Sequence, residues 1–272
     1  MAPPTHLHLV RHAQGYHNLT PDNHKLHDPA LTPLGKQQCA DLQRAFFSPS
    51  QQQARITHVV ASPIKRTLWT ALLAFAPAID AQQLRVIALP ELQETSDLPC
   101  DTGSDRAELE REFEGQPVDW SRVGDGWNSK TGVWAPTPAA VAERARRARK
   151  FLRELAGEEG AEVVVVTHGG LLHTFTQDWT GFDKYCGTGW ANTEYRTYTF
   201  VPDSGDEARI VETPESRADR GAAPFSEAEN LRMQAKEKEW LAQSLEDGSQ
   251  TEDPAPGPAI QEVGVEAVKA QA

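Results

Sequence analysis

The order of apolar and polar positions divides the chain into short segments with two different periods. Residues 5–10 (THLHLV) alternate and end on apolar positions, which predicts a short strand running straight into Arg11-His12. Residues 57–61 (THVVA), 84–89 (LRVIAL) and 162–167 (EVVVVT) are apolar or β-branched runs of strand length. The last has almost no polar position, the mark of a strand covered on both faces. Helical spacing lies between these runs. Thr32-Pro33 and Thr137-Pro138 each read as an N-cap followed by proline at the first helical position, with apolar faces reaching about Phe47 and Leu155. Ser62-Pro63 opens a helix carrying Leu68, Leu72 and Phe75, and residues 171–179 predict another. Residues 194–201 and 208–212 predict two closing strands. Strands alternating with helices predict an α/β fold, a three-layer α/β/α sandwich with a mostly parallel central sheet.

Two stretches break this pattern. Residues 94–136 are rich in Gly, Asp and Pro, and Trp120, Trp127 and Trp134 follow no regular period. This predicts a long irregular insertion (95–136) with a little helix around 105–113. Insertions of this length are commonly functional, and three tryptophans argue against disorder. Their rings line a pocket or groove, or else form a satellite core under the insertion. After residue 214 the domain gives way to an acidic, helix-forming extension (215–245) and a Pro-, Gly- and Glu-rich tail (246–272) expected to be disordered.

Composition narrows the function. The 39% hydrophobic and 24% charged residues suit a soluble domain. The net charge of −12 argues against nucleic acid as a partner. Residues 215–272 hold 12 Asp/Glu against 6 Lys/Arg, so half of that charge lies outside the domain body. No run of 18 apolar residues exists, and no membrane partner is expected. The first ten residues are too short and polar for a signal peptide. Cys39, Cys100 and Cys186 are odd in number and lack metal-ligand spacing. A reducing compartment is therefore expected, the cytoplasm or the nucleus.

The candidate chemistry sits at strand ends. Arg11-His12 ends the first strand, and His168-Gly169-Gly170 ends the most buried one. Arg66 falls on the first turn of the helix after strand 57–61. A parallel sheet gathers all of these at its carboxyl edge, where ligands bind. Singly, each has a plain structural reading: His168 as a core histidine, Arg66 on a helix surface. Together they suit phosphoryl transfer. Arginine gives permanently charged, forked hydrogen bonds to phosphoryl oxygens. A neutral imidazole can attack phosphorus, a second protonated one can stabilise the oxygens, and a carboxylic acid can protonate the leaving alkoxide. Glu94, just past strand 84–89, is the candidate acid, with Glu91 as its rival.

These residues resemble the histidine phosphatase superfamily, in its phosphoglycerate mutase-like branch and with the look of its fungal members. Arg11-His12-Ala13-Gln14, with Asn18 four residues beyond Gln14, matches the family's Arg-His-Gly-Glu and following Asn. Leu31-Thr32-Pro33-Leu34-Gly35-Lys36-Gln37-Gln38 and Ser62-Pro63-Ile64-Lys65-Arg66-Thr67 match its next two motifs. Leu92-Gln93-Glu94 and Val166-Thr167-His168-Gly169-Gly170 match its last two. By that resemblance His12 is the phosphorylated nucleophile, and Arg11, Arg66 and His168 form the phosphate pocket. Asn18 and the N–H of Gly169 add donors, and Glu94 rather than Glu91 is the proton donor. Ala13 replaces the family's Gly and Gln14 its Glu. Thr95-Ser96-Asp97 stands where the mutases carry Arg-His-Tyr-Gly, which favours a phosphatase over a phosphomutase. The expectation is a phosphatase of a small-molecule phosphate monoester working through a phosphohistidine, with no cofactor and no metal. The alternatives are a phosphoglycerate-type phosphomutase, or a non-catalytic phospho-ligand or protein-binding member of the fold. Oligomeric state is left open.

Overall fold

The computed structural model describes residues 4–47, 56–157, 160–183 and 189–246; Cys186 and the tail beyond residue 246 lie outside them. Fifteen elements matter. They are β1 (His6–Arg11), α1 (Pro33–Phe46), β2 (His58–Ala61), α2 (Lys65–Ala74), α3 (Ala76–Gln82), β3 (Val86–Ala88), α4 (Arg106–Glu112), β4 (Val118–Asp119), α5 (Pro138–Ala156), β5 (Glu162–Thr167), α6 (Gly169–Thr176), β6 (Tyr195–Phe200), β7 (Ile210–Glu212), α7 (Pro214–Asp219) and α8 (Glu227–Glu246). The strands form one sheet in the order β4-β3-β2-β5-β1-β6-β7. β1 to β5 run parallel, while β6 and β7 close one edge antiparallel.

The β5 run explains the layering. Val164 and Val166 face one apolar cluster with Leu42, Phe46, Leu68 and Phe75 from α1, α2 and the α2–α3 junction. Val163 and Val165 face the other, with Ala145, Leu152 and Leu171 from α5 and α6. Successive side chains of a strand point to opposite faces, so an all-valine strand is what a twice-covered central position selects. The result is the three-layer sandwich with a mostly parallel sheet that the strand–helix alternation predicts.

Both Thr-Pro caps form. Thr32 Oγ1 accepts from Gly35 N at 2.9 Å and Thr137 Oγ1 from Ala140 N at 3.3 Å. Ser62-Pro63 departs from the expectation, because α2 starts three residues later at Lys65. Ser62 Oγ lies 3.0 Å from His168 Nε2, so its side chain serves the site. Helix α6 likewise begins at Gly169 and ends at Thr176, short of the expected Trp179.

The insertion is more ordered than its composition suggests. It adds the edge strand β4 to β3, too short at two residues to be read from sequence. Trp127 is buried at 2% exposure over Gly103. Trp120 meets Phe113, which stacks on Trp69 of α2 at 4.8 Å. Trp127, with Trp120 packed beside it, thus joins the main apolar cluster on the α1–α2 face instead of forming a satellite core, whereas Trp134 stays half-exposed beside Arg147. Past residue 214 the chain remains tied to the body. Arg217 of α7 is buried between Asp178 (2.7 Å) and Glu212 (3.1 Å), and Asn230 of α8 accepts from Trp179 N at 2.6 Å.

Candidate active site

The parallel strands deliver their loops to one rim, and the nucleophile candidate comes first. β1 ends at Arg11, and His12 N donates to Thr167 O of β5 at 2.9 Å, which fixes the start of the loop against the central strand. Ala13 N donates to Thr70 Oγ1 of α2 at 3.0 Å, and Asn192 Nδ2 to His12 O at 2.9 Å. The buried His12 ring is oriented by its Nδ1, 2.8 Å from Ala13 O. A carbonyl can only accept, so Nδ1 carries the proton and Nε2 presents a lone pair. Burial, then the neighbouring Arg66, His17 and Arg11, holds the His12 pKa well below the usual histidine value, so the ring is neutral.

Arg66 is the hub. It is fully buried on the first turn of α2, and its guanidinium makes four contacts. Nε donates to His12 Nε2 at 3.2 Å, Nη1 to Cys100 O at 2.6 Å, and Nη2 to Asp101 Oδ1 at 2.9 Å and His168 Nδ1 at 3.0 Å. Asp101 also accepts from Ser96 Oγ at 2.7 Å. The insertion therefore supplies the counter-ion that makes burial of Arg66 tolerable.

His168 lies 5.2 Å from His12, ring centre to ring centre, at the end of β5. Its Nδ1 accepts from Arg66, so Nε2 carries the proton toward Ser62 Oγ. Burial first, then Arg66, keeps its pKa well below the usual value. The protonated state expected for the second histidine is thus not its state here. A guanidinium at hydrogen-bond distance repels a proton until an anion intervenes.

Glu94 stands across the rim. Oε1 accepts from Thr95 N (2.8 Å) and Leu171 N (2.9 Å), and Oε2 from Gly170 N (3.0 Å). A Cβ on Gly170 would lie 2.6 Å from Oε1, so glycine is required for this close approach. Burial raises the Glu94 pKa, helped by Asp101 and opposed by the backbone donors. Its rival Glu91 instead pairs with the half-exposed Arg147 at 3.1 Å, outside the cluster.

The sequence profile of the histidine phosphatase superfamily (branch 1) matches residues 7–213. The chain belongs to this superfamily. A probable phosphatase of Schizosaccharomyces pombe is 27% identical over 170 residues, covering 62% of this chain and 76% of that one. A phosphoglycerate mutase-like protein of Arabidopsis thaliana is 30% identical over 213 residues, covering 66% and 75%. Phosphoglycerate mutase from Bacillus anthracis shares the fold at a TM-score of 0.50 and 15% identity, over 78% of this chain and 92% of that one.

In this member of the superfamily, His12, Arg66, His168 and Glu94 gather at one rim, as their strand-end positions imply. Arg11 joins them from the side. Its Nη1 donates to Trp190 O, and the absent Cβ of Gly169 leaves room for its guanidinium, which would lie 3.3 Å away. Asn18 sits half-buried, with Oδ1 accepting from Gly15 N at 3.0 Å, so that oxygen shapes the loop. Four residues escape a reading by motif. His17 is buried with its ring 5.4 Å from His12, and burial drops its pKa to about 2. Its only signal is a second histidine inside the Arg-His motif. Asp101 and Lys130 reach the site from the insertion, whose lack of period hides them. Arg144 holds the main chain around the acid from α5, donating to Glu91 O and Glu94 O at 3.0 and 3.2 Å.

Proposed function

We propose that this histidine phosphatase hydrolyses a phosphate monoester of a small molecule, without a metal, through a phosphohistidine on His12 Nε2. The observation that carries this reading is the tautomer. Nδ1–H is held by Ala13 O, so the neutral ring aims a lone pair into a pocket shared by Arg66 and His168. Nε2 attacks phosphorus, the P–O bond to the leaving group breaks, and protonated Glu94 gives that oxygen its proton. Water then attacks the phosphohistidine, the P–N bond breaks, and Glu94 takes the proton back. Arg66 and Arg11 neutralise the phosphoryl oxygens throughout, which is the charge stabilisation this chemistry needs. When the dianion draws the Arg66 donors to itself, His168 takes up a proton from bulk solvent and donates a hydrogen bond to a phosphoryl oxygen.

The relatives' names include both a phosphatase and a mutase-like protein. A phosphomutase would pass the phosphoryl group back to substrate. Phosphate release measured beside isomer formation, over a panel of sugar phosphates, nucleotides, phosphoglycerates and terpenyl phosphates, separates the two. Rapid quench should trap an acid-labile, base-stable phosphoenzyme that His12→Ala lacks. Full turnover by that variant removes His12 from the nucleophile role.

A further inference from the structure

One histidine at the rim has no part in the chemistry above. His17 is 7% exposed, and its ring centre lies 5.4 Å from that of His12, with the two planes tilted by 51°. It sits in a single helical turn, Tyr16–Asn18, that is pinned on both sides. Tyr16 N donates to Ala30 O at 3.1 Å, Asn18 N to Gly15 O at 3.0 Å, and Gly15 N to Asn18 Oδ1 at 3.0 Å. A Cβ on Gly15 would fall 2.7 Å from His17 Nδ1 and 2.8 Å from its Cε1, so the missing methylene is what gives the imidazole its place. The φ of Gly15, −96°, is open to any residue, so the glycine provides space and not backbone freedom.

The two nitrogens of His17 are not equivalent. Nδ1 is sealed from solvent with no hydrogen-bond partner among the described residues, which leaves Nε2 as the nitrogen open to the rim. The ring is neutral, because burial first, then Arg66 and Arg11, disfavour a charge on it. A neutral imidazole carries one N–H and one lone pair. An N–H buried without an acceptor is costly, whereas at Nε2 the same proton meets solvent or a ligand. The proton therefore sits on Nε2. His12 has the opposite arrangement, with Nδ1–H held by Ala13 O and the lone pair on Nε2. The rim thus presents one imidazole as a nucleophile and, beside it, another as a donor.

Position and charge decide what that donor meets. The two arginines that act on His17 through charge are the two assigned to the transferred phosphoryl group. A tetrahedral phosphoryl group held by them against His12 lies beside the neighbouring ring. A neutral N–H adds a hydrogen bond to the dianion without adding to the repulsion among the pocket's cations. Donors set in place beforehand act most strongly as charge builds on the oxygens in the transition state. We infer that His17 is a further catalytic residue, whose Nε2–H donates to an oxygen of the phosphoryl group as that group passes through His12. This rests on the phosphatase reading of the site and deepens it by one donor.

Nuclear magnetic resonance on the full chain with isotope-labelled histidine reads the tautomer and the contact directly, with inorganic phosphate as the probe. Proton–nitrogen correlations within the rings should show His17 protonated on Nε2, and that resonance should move as phosphate is added. Two variants then test the role in turnover. His17→Gln keeps an N–H donor at similar reach, whereas His17→Phe keeps a ring and loses the donor. His17→Phe should lower both kcat/KM on an alkyl phosphate and affinity for orthovanadate by about 10²-fold, while His17→Gln retains about a tenth or more of each. A His17 ring protonated on Nδ1, or an Nε2 resonance that ignores phosphate, overturns the inference. Equal losses in the two variants overturn it as well and make the ring a packing element only. The resonance is read on the unsubstituted chain, so a variant that fails to fold does not hide the answer. Turnover of p-nitrophenyl phosphate by that same chain, through a trapped phosphoenzyme, decides the phosphatase reading separately.

Discussion

Arg66 Nε donates to His12 Nε2 at 3.2 Å, so the nitrogen assigned to attack phosphorus is also the one held by the buried arginine. The same guanidinium holds Asp101 and His168. A phosphoryl group entering this pocket must take over donors that now join the two histidines. One side chain thus couples the orientation of the nucleophile to the binding of charge.

Replacing Arg66 with lysine keeps the charge and loses the fork. Lysine cannot serve His12, His168, Cys100 O and Asp101 together. The expected loss in kcat/KM is about two orders of magnitude or more. Steady-state kinetics on p-nitrophenyl phosphate and an alkyl phosphate would measure it, with circular dichroism confirming that the fold persists. A loss below fivefold would mean that the hub is structural.

Glu94→Gln should separate esters by leaving group. Alkyl phosphates need the proton and should lose about 10²- to 10⁴-fold, while p-nitrophenyl phosphate loses far less. With a raised Glu94 pKa, the acid stays protonated to higher pH than an ordinary glutamate. The alkyl-ester rate should fall as pH rises through that pKa, and this limb should vanish in the variant. Equal losses on both substrates would exclude Glu94 as the proton donor.

Acid should unfold the protein through its histidines. His12, His17 and His168 are buried neutral, with pKa values depressed below 6.5. The unfolded chain binds protons below about pH 6.5 that the native site refuses, so stability is complete above that value and falls as pH drops. Each such histidine contributes about 1.4 kcal/mol per pH unit in this range. The raised Glu94 and Asp28 act in the opposite sense, favouring the native state at low pH. Urea melts at pH 7.5 and 5.5 test the slope, which His17→Gln should reduce by the share of one histidine. An unchanged slope in that variant would refute the assignment.

Gly103→Ala should loosen the insertion. Its Cβ would fall 2.2 Å from Trp127 Cη2, so the indole must move. Overpacking of this kind costs about 1–3 kcal/mol. The midpoint of urea unfolding should drop, and tryptophan emission should shift to the red. A variant with the native midpoint would show that Trp127 repacks freely.

The chain itself determined the sheet, the layers and most of the rim. β-Branched runs of strand length, Thr-Pro caps and Arg-His or His-Gly at strand ends are local signals. A parallel sheet converts such positions into neighbours by a general rule. Tertiary structure alone decided what lies between those signals. Asp101 and Lys130 come from a segment with no period, and their places depend on Trp127 and Trp120 packing under it. The neutral state of His168 depends first on its burial once the layers close and then on a guanidinium drawn from 102 residues away in the chain. Helix α7 is polar by composition, yet it is held by Arg217 buried between two carboxylates. Periodicity records which face of an element is dry, whereas ion pairs between distant segments and the charge they permit exist only once the layers have closed.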